Sequence, residues 1–304
     1  MPSTGWTGVS EPVPRDRLRH SHPSRGAATM DHAAGPHDAP ADLVPAGPVT
    51  WRTVGRNSAL EFLLTFVLLF GVVTIVRWVA GPSPVSAVVH QIHMQLLIIG
   101  GCVGLLLAGL IVSPGGKASG GHINPAISIA MWRFGLLPGT AVVPYIAAQL
   151  AGSLLGALAG RAVWGSAAGR PPVVDAALRP GRGWPAGALF AAEAVSMGVI
   201  VLLVGIFLAV PRLVPLVPWL VGFLIGAAIA LLGTTTGGSV NPARQFGPAI
   251  VEGHLDFLWV YLLAPMVGAV LAASLRDTAM GRRARTRART RARILAPPRR
   301  GNGP

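Results

Sequence analysis

Ser119-Gly120-Gly121-His122-Ile123-Asn124-Pro125-Ala126 and Gly237-Gly238-Ser239-Val240-Asn241-Pro242-Ala243-Arg244 are two copies of one device: a glycine-rich turn, then Asn-Pro-Ala, then a short apolar segment. Asn is a favoured N-cap, and Pro suits the first helical position because its missing N–H would be unpaired there anyway. Asn124 and Asn241 are therefore predicted caps, with Pro125 and Pro242 at N1 and Ala126 and Ala243 following. The helices they open, 124–133 and 241–252, are too short to cross a bilayer. A helix that starts inside a membrane leaves free N–H groups and a partial positive charge there, which is tolerated only beside a wet cavity or inside protein. One such start could be an ordinary loop; two in matching apolar settings argue for a pore.

Composition agrees. Of 304 residues, 52% are hydrophobic and 12% charged, far from the balance of a soluble domain, so an integral membrane protein is expected. The single cysteine, Cys102, lies in an apolar run, which excludes a disulfide framework and a cysteine metal cluster. The net charge of +14 is concentrated at the two ends.

Residues 1–56 are Pro-, Gly- and charge-rich without periodicity and read as a disordered basic extension. The predicted channel domain spans 57–276. Its first half, 58–160, has spans at 58–79, 92–112 and 136–160, with Ser113-Pro114-Gly115-Gly116-Lys117 breaking the helix before the first Asn-Pro-Ala element. Gly152, Gly156 and Gly160, four residues apart, predict a close-packing face. A polar loop, 161–186, leads to the second half, 187–275, with spans at 187–210, 215–235 and 257–275. Glu61 opens the first half as Glu193 opens the second, and Tyr145-x3-Gln149-x2-Gly152 is echoed by Tyr261-x3-Pro265-x2-Gly268. Three spans per half is an odd number, so the second half enters the membrane inverted, which places the functional site between the halves near the midplane. Six arginines before the first span, Lys117, Arg133, Arg212 and ten arginines from Arg276 onward then share one face, so both termini are expected in the cytoplasm and the protein in the plasma membrane. Residues 277–304 read as a disordered Arg-rich tail that sets topology and touches anionic lipid, with no nucleic acid expected.

The two motifs, Ser-Gly-Gly-His-Ile-Asn-Pro-Ala at 119–126 and Asn-Pro-Ala-Arg-Gln-Phe-Gly-Pro-Ala at 241–249, together with the paired glutamates, resemble the major intrinsic protein family of aquaporins and aquaglyceroporins over about residues 58–275. The resemblance implies an all-α membrane protein, aquaporin-like, with six transmembrane helices plus two re-entrant half helices in an inverted repeat, one pore per subunit and a homotetramer. It implies that Asn124 and Asn241 donate to a passing oxygen and that a carbonyl ladder runs along Gly120, Gly121, His122 and Ile123, and along Gly237, Gly238, Ser239 and Val240. It also implies that Glu61 and Glu193 brace the loops. A neutral solute then exchanges hydrogen bonds with water for bonds with backbone, while an ion cannot recover its hydration shell, as in aquaporin-type pores generally.

Arg244 matches the family's filter arginine. Its partners here are Ile229, where water-selective members commonly place histidine, Gly238, and on the second span Val103 or Gly104. All are small or apolar, which predicts a filter wider and less polar than that of a strict water channel. His90 and His93 read as incidental interfacial residues, and His122 as a loop support. The expected function is a passive channel for water and for small neutral solutes such as glycerol, without ions or protons, reaction, cofactor or metal. The rival is an ion-coupled secondary transporter built on an inverted repeat; its weakness is that Glu61 and Glu193 are the only acids deep in the spans. A nucleic-acid binder would rest on the tail alone.

Overall fold

The structure, a computed structural model, describes residues 50–295, with side chains to Thr278. In chain order the helices are α1 (Trp51–Val79), α2 (Ile92–Val112), α3 (Pro114–Ser119), α4 (Pro125–Arg133), α5 (Gly139–Trp164), α6 (Ser166–Gly169), α7 (Ala186–Leu208), α8 (Val217–Leu232), α9 (Pro242–Glu252) and α10 (Leu258–Leu295). Among the described residues, six helices are long and apolar enough to cross a membrane, and α4 and α9 are the two half helices.

The halves correspond: α1 packs on α5 as α7 packs on α10, and α2 packs on its counterpart α8. Each half helix also reaches across, α9 onto α5 and α4 onto α10. These crossings bury polar side chains inside, including Glu61, Gln149, Ser153, Glu193 and Gln245, while Leu63, Leu97, Val143, Phe223 and Leu271 face outward. That reversal suits a lipid solvent, in which polar groups must find their partners within the protein.

Close helix approach depends on the glycines. A Cβ on Gly152 or Gly156 would fall on the carbonyls of Phe62 or Phe66 in α1, and on Gly160 it would strike the Val73 side chain, so the predicted packing face is present. The α2–α8 crossing is equally tight, with Gly104 against the Gly222 carbonyl and a Cβ on Gly226 only 2.6 Å from the Gly100 oxygen. Gly226→Val is expected to force the two helices apart at a cost of about 1–3 kcal/mol, read as a lower thermal midpoint in detergent.

Several boundaries differ from expectation. The first helix begins at Trp51, inside the segment read as extension, because Thr50 Oγ1 accepts from the Thr53 amide (3.2 Å). The Ser113–Lys117 segment does end α2 but also opens α3, with Ser113 Oγ accepting from the Gly116 amide (3.1 Å). The third span runs past Gly160 to Trp164, and the loop after it holds α6 and one further helical turn, Val174–Ala176. Helix α10 continues to Leu295 through most of the Arg-rich segment read as disordered. The rest of the predicted extension and tail, 1–49 and 296–304, lies outside the described residues.

Candidate conduction pore

Each glycine-rich turn enters its half helix in the same way. Asn124 Oδ1 accepts from the Ala126 amide (2.9 Å), and Asn241 Oδ1 accepts from the amides of Ala243 (3.0 Å) and Arg244 (3.4 Å), so both are N-caps with Pro at N1. The two caps face one another. Asn124 Nδ2 donates to the Val240 carbonyl and Asn241 Nδ2 to the Ile123 carbonyl, both at 3.0 Å. An amide nitrogen carries two protons, so one N–H on each Asn locks the loops together and one is left over.

Just before each Asn sits a β-branched residue in the left-handed region, Ile123 at φ 53° and Val240 at φ 41°. Such residues cost about 1–2 kcal/mol each and persist only where surroundings over-determine them. Here the carboxylates do so. Glu61 Oε2 accepts from the Ile123 amide (2.7 Å) and from Gln149 Nε2 (2.9 Å), while Oε1 accepts from Ser119 Oγ (2.7 Å) and the His122 amide (3.0 Å). Glu193 accepts from the Ser239 (3.2 Å) and Val240 (2.7 Å) amides. Tyrosines complete the symmetry: Tyr145 Oη donates to the Ser119 carbonyl and Tyr261 Oη to the Thr236 carbonyl, both at 2.7 Å.

Two cavities lie along the loops. On the N-terminal side a vestibule of about 540 Å³ opens between Arg56, Asn57, Lys117, Tyr145 and Leu208, bordered by Gly120, Gly121 and His122. Next to it, sharing His122 and Ile127, lies a second cavity of about 20 Å³, room for little more than one water. It is bordered by His122, Ile123, Asn124, Gly238, Ser239, Asn241 and Arg244 from the two loops and their helix starts, and by apolar side chains of the helices, among them Leu68, Val72, Val103, Ile127, Ile200, Val221, Ile225 and Ile229. Arg244 Nη1 donates to the Ala176 carbonyl at 2.6 Å.

A family model described as "Major intrinsic protein" matches residues 49–275. The chain belongs to this family. Among its relatives, the probable aquaporin AqpM of Archaeoglobus fulgidus is 39% identical over 241 residues, 73% of this chain and 95% of that protein. The probable aquaporin NIP7-1 of Arabidopsis thaliana is 31% identical over 216 residues, covering 69% of this chain and 72% of its own. The solved aquaglyceroporin from Plasmodium falciparum superposes with a TM-score of 0.62 at 23% identity, over 77% of this chain and 99% of that one, and shares the fold.

Against the pattern of this major intrinsic protein fold, the predicted residues sort as follows. Val103, Ile229, Gly238 and Arg244 border one constriction, whereas Gly104 does not join them: it faces Gly222 of α8, where it serves helix packing. Gly238 adds no width, contrary to expectation, because a Cβ there would fall on the Ala228 carbonyl, so α8 already fills that space. In the expected carbonyl ladder, Ile123 and Val240 have carbonyls engaged by the Asn amides, and Gly237 and Val240 border neither cavity. His122 Nδ1 lies 3.1 Å from Ser128 Oγ, and the His122 amide donates to Glu61.

Several residues had no role assigned from the sequence. Ser119 and Gln149 supply half of the donors to Glu61. Ser153 Oγ donates to the Ala243 carbonyl and accepts from the Gly247 amide (2.9 Å), tying α9 to α5. Gln245, next to Arg244, bonds the Leu178 backbone twice, at 2.8 and 2.9 Å. The Tyr-x3-Gln pattern was a legible signal for Gln149; isolated serines carry none.

Proposed function

We propose that this protein is a passive channel that admits water and small neutral solutes in single file and excludes ions and protons, with Asn124, Asn241 and Arg244 as its principal pore residues. The observation that carries the reading is the pair of half-helix starts meeting end to end beside a cavity of about 20 Å³ whose lining combines the polar loops with apolar helix side chains. A solute there keeps hydrogen bonds to the loops and slides past the apolar side chains. The positive ends of α4 and α9 both point at the middle, which raises the energy of a cation. Relatives that carry the name aquaporin favour the same function.

The transporter alternative needs a free ion site. Both deep carboxylates are instead occupied, Glu61 by four donors and Glu193 by two backbone amides. The basic residues Arg56 and Lys117 at the vestibule, with Arg52 and Arg133, favour an orientation with both termini in the cytoplasm of a plasma-membrane protein. The family resemblance favours a homotetramer.

The test is osmotic water flux in proteoliposomes followed by light scattering. Fast flux with a low activation energy, indifferent to sodium and proton gradients, is expected; dependence on either gradient would make the protein a transporter. The same assay checks the tail. Truncation after Thr278 should leave flux intact, whereas truncation after Leu275 would also remove Arg276, which bonds the Gly205 carbonyl (3.1 Å) and stacks on Phe134, and Asp277, which pairs with Arg133 (3.4 Å).

A further inference from the structure

On the face opposite the vestibule, the chain after α6 makes a turn that L-amino acids avoid. Val174, Asp175 and Ala176 all lie in the left-handed region, at φ 42°, 53° and 60°. Each such residue costs about 1–2 kcal/mol relative to a right-handed turn, and a branched one such as Val174 is strained further. The turn is nevertheless tightly packed, with Val173, Asp175 and Ala176 buried.

What opposes the strain is a charge pair. Asp175 is fully buried, and both of its oxygens are taken by Arg161 at the end of α5: Nε donates to Oδ1 at 2.8 Å and Nη2 to Oδ2. Gly169 makes the room, since a Cβ there would lie 2.5 Å from the Arg161 guanidinium carbon. Arg161 also pairs with Glu252 (3.6 Å), which pairs with Arg179 (3.5 Å).

These bonds close a ring through the filter. Arg244 stands in the first turn of α9 and Glu252 is that helix's last residue. Arg244 holds the Ala176 carbonyl, Ala176 follows Asp175, Asp175 holds Arg161, and Arg161 holds Glu252. A left-handed turn directs its carbonyls differently from a right-handed one, so the Ala176 oxygen meets Arg244 only while the turn keeps its hand.

We propose that the Arg161–Asp175 pair is a selectivity clamp: it holds the left-handed 174–176 turn, and thereby fixes the Arg244 guanidinium and the width of the constriction. Arg161 and Asp175 are positioning residues, acting through Ala176 without touching the solute. The inference rests on the channel reading above and on Arg244 as its filter.

The test compares wild type, Arg161→Met, Arg161→Lys and the double variant Arg161→Met with Val174→Gly in proteoliposomes, reading the ratio of glycerol to water permeability. A clamp that sets the filter predicts a rise of about threefold or more in Arg161→Met. Arg161→Lys should give a smaller rise, because a cation remains beside Asp175 but the two-pronged grip is lost. The double variant should return toward wild type, since glycine adopts the left-handed region without steric cost. If Arg161→Met does not assemble, Arg161→Lys reads the same ratio. An unchanged ratio in every variant that assembles overturns the clamp even if the water rate falls, because damage that only lowers the number of working channels scales both fluxes together. Wild-type protein that passes neither water nor glycerol overturns the channel reading and the clamp with it; conduction with an invariant ratio overturns the clamp alone.

Discussion

Glu61→Leu is expected to abolish assembly of the channel, and Glu193→Leu to weaken it less. The Glu61 carboxylate accepts four hydrogen bonds, from Ser119 Oγ, the His122 and Ile123 amides and Gln149 Nε2, in a site with no exposure. Leucine accepts none. Each buried donor left unpaired costs about 1–3 kcal/mol, so four together approach the roughly 5–15 kcal/mol that holds an ordinary domain folded. The strain at Ile123, φ 53°, would also lose the bond that opposes it. Glu193 accepts from two backbone amides, so its loss orphans fewer groups. Yield, monodispersity in detergent and thermal midpoint measure the effect, and Glu61→Gln, which keeps one accepting oxygen, should fall between wild type and Glu61→Leu. If Glu61→Leu assembles normally and loses only a response to sodium or protons, the bracing role is wrong and the transporter reading gains.

The same loops show why much of the architecture was legible in the sequence. Asn before Pro at a helix start is a local signal: the cap bond joins residues two apart and needs no tertiary context, so α4 and α9 were placed within a residue. Hydrophobic runs bounded by Gly and Pro located α2 without error and the other spans to within a few residues, apart from the early start of α1 and the long continuation of α10. Glu61 and Glu193 stood out because an acid in an apolar run must have a partner.

What stayed hidden depends on distant parts of the chain. The smallness of Gly238 suggested a wide filter, yet only the position of α8 reveals that the Ala228 carbonyl occupies that space. Val103 and Gly104 are adjacent on α2, and the choice between them depends on rotation about the helix axis, which the α8 contact fixes. The loop after α5 looked merely polar because a left-handed turn of ordinary residues has no sequence signature. Asp175 reads as one more surface acid until Arg161 is found over it.

Arg244→Val is expected to cause the largest change in what the pore admits. Arg244 borders the roughly 20 Å³ constriction, with its guanidinium held by the Ala176 carbonyl at 2.6 Å. A cation passing about 5 Å away in a protein of effective dielectric near 20 meets roughly 3 kcal/mol of repulsion from that charge alone, a factor of about a hundred in rate. Removing the charge therefore predicts cation leakage higher by up to about two orders of magnitude, together with faster passage of glycerol and larger solutes because a long side chain bordering the constriction is replaced by a short one. Ile229→His should act in the opposite sense. Ile229 faces the same constriction and offers no hydrogen bond, so in wild type a carbon-bearing solute can rest its apolar side there. Histidine would add a polar group that favours water and would fill part of the remaining width. Measurable glycerol flux alongside water is expected in wild type, suppressed more than water by Ile229→His and raised by Arg244→Val. Light scattering after an osmotic step reads water and glycerol, and an ion-sensitive dye in the same vesicles reads the cation. If Arg244→Val remains as tight to cations as wild type, exclusion rests on the opposed ends of α4 and α9, and the arginine acts only as a hydrogen-bond donor and a steric stop.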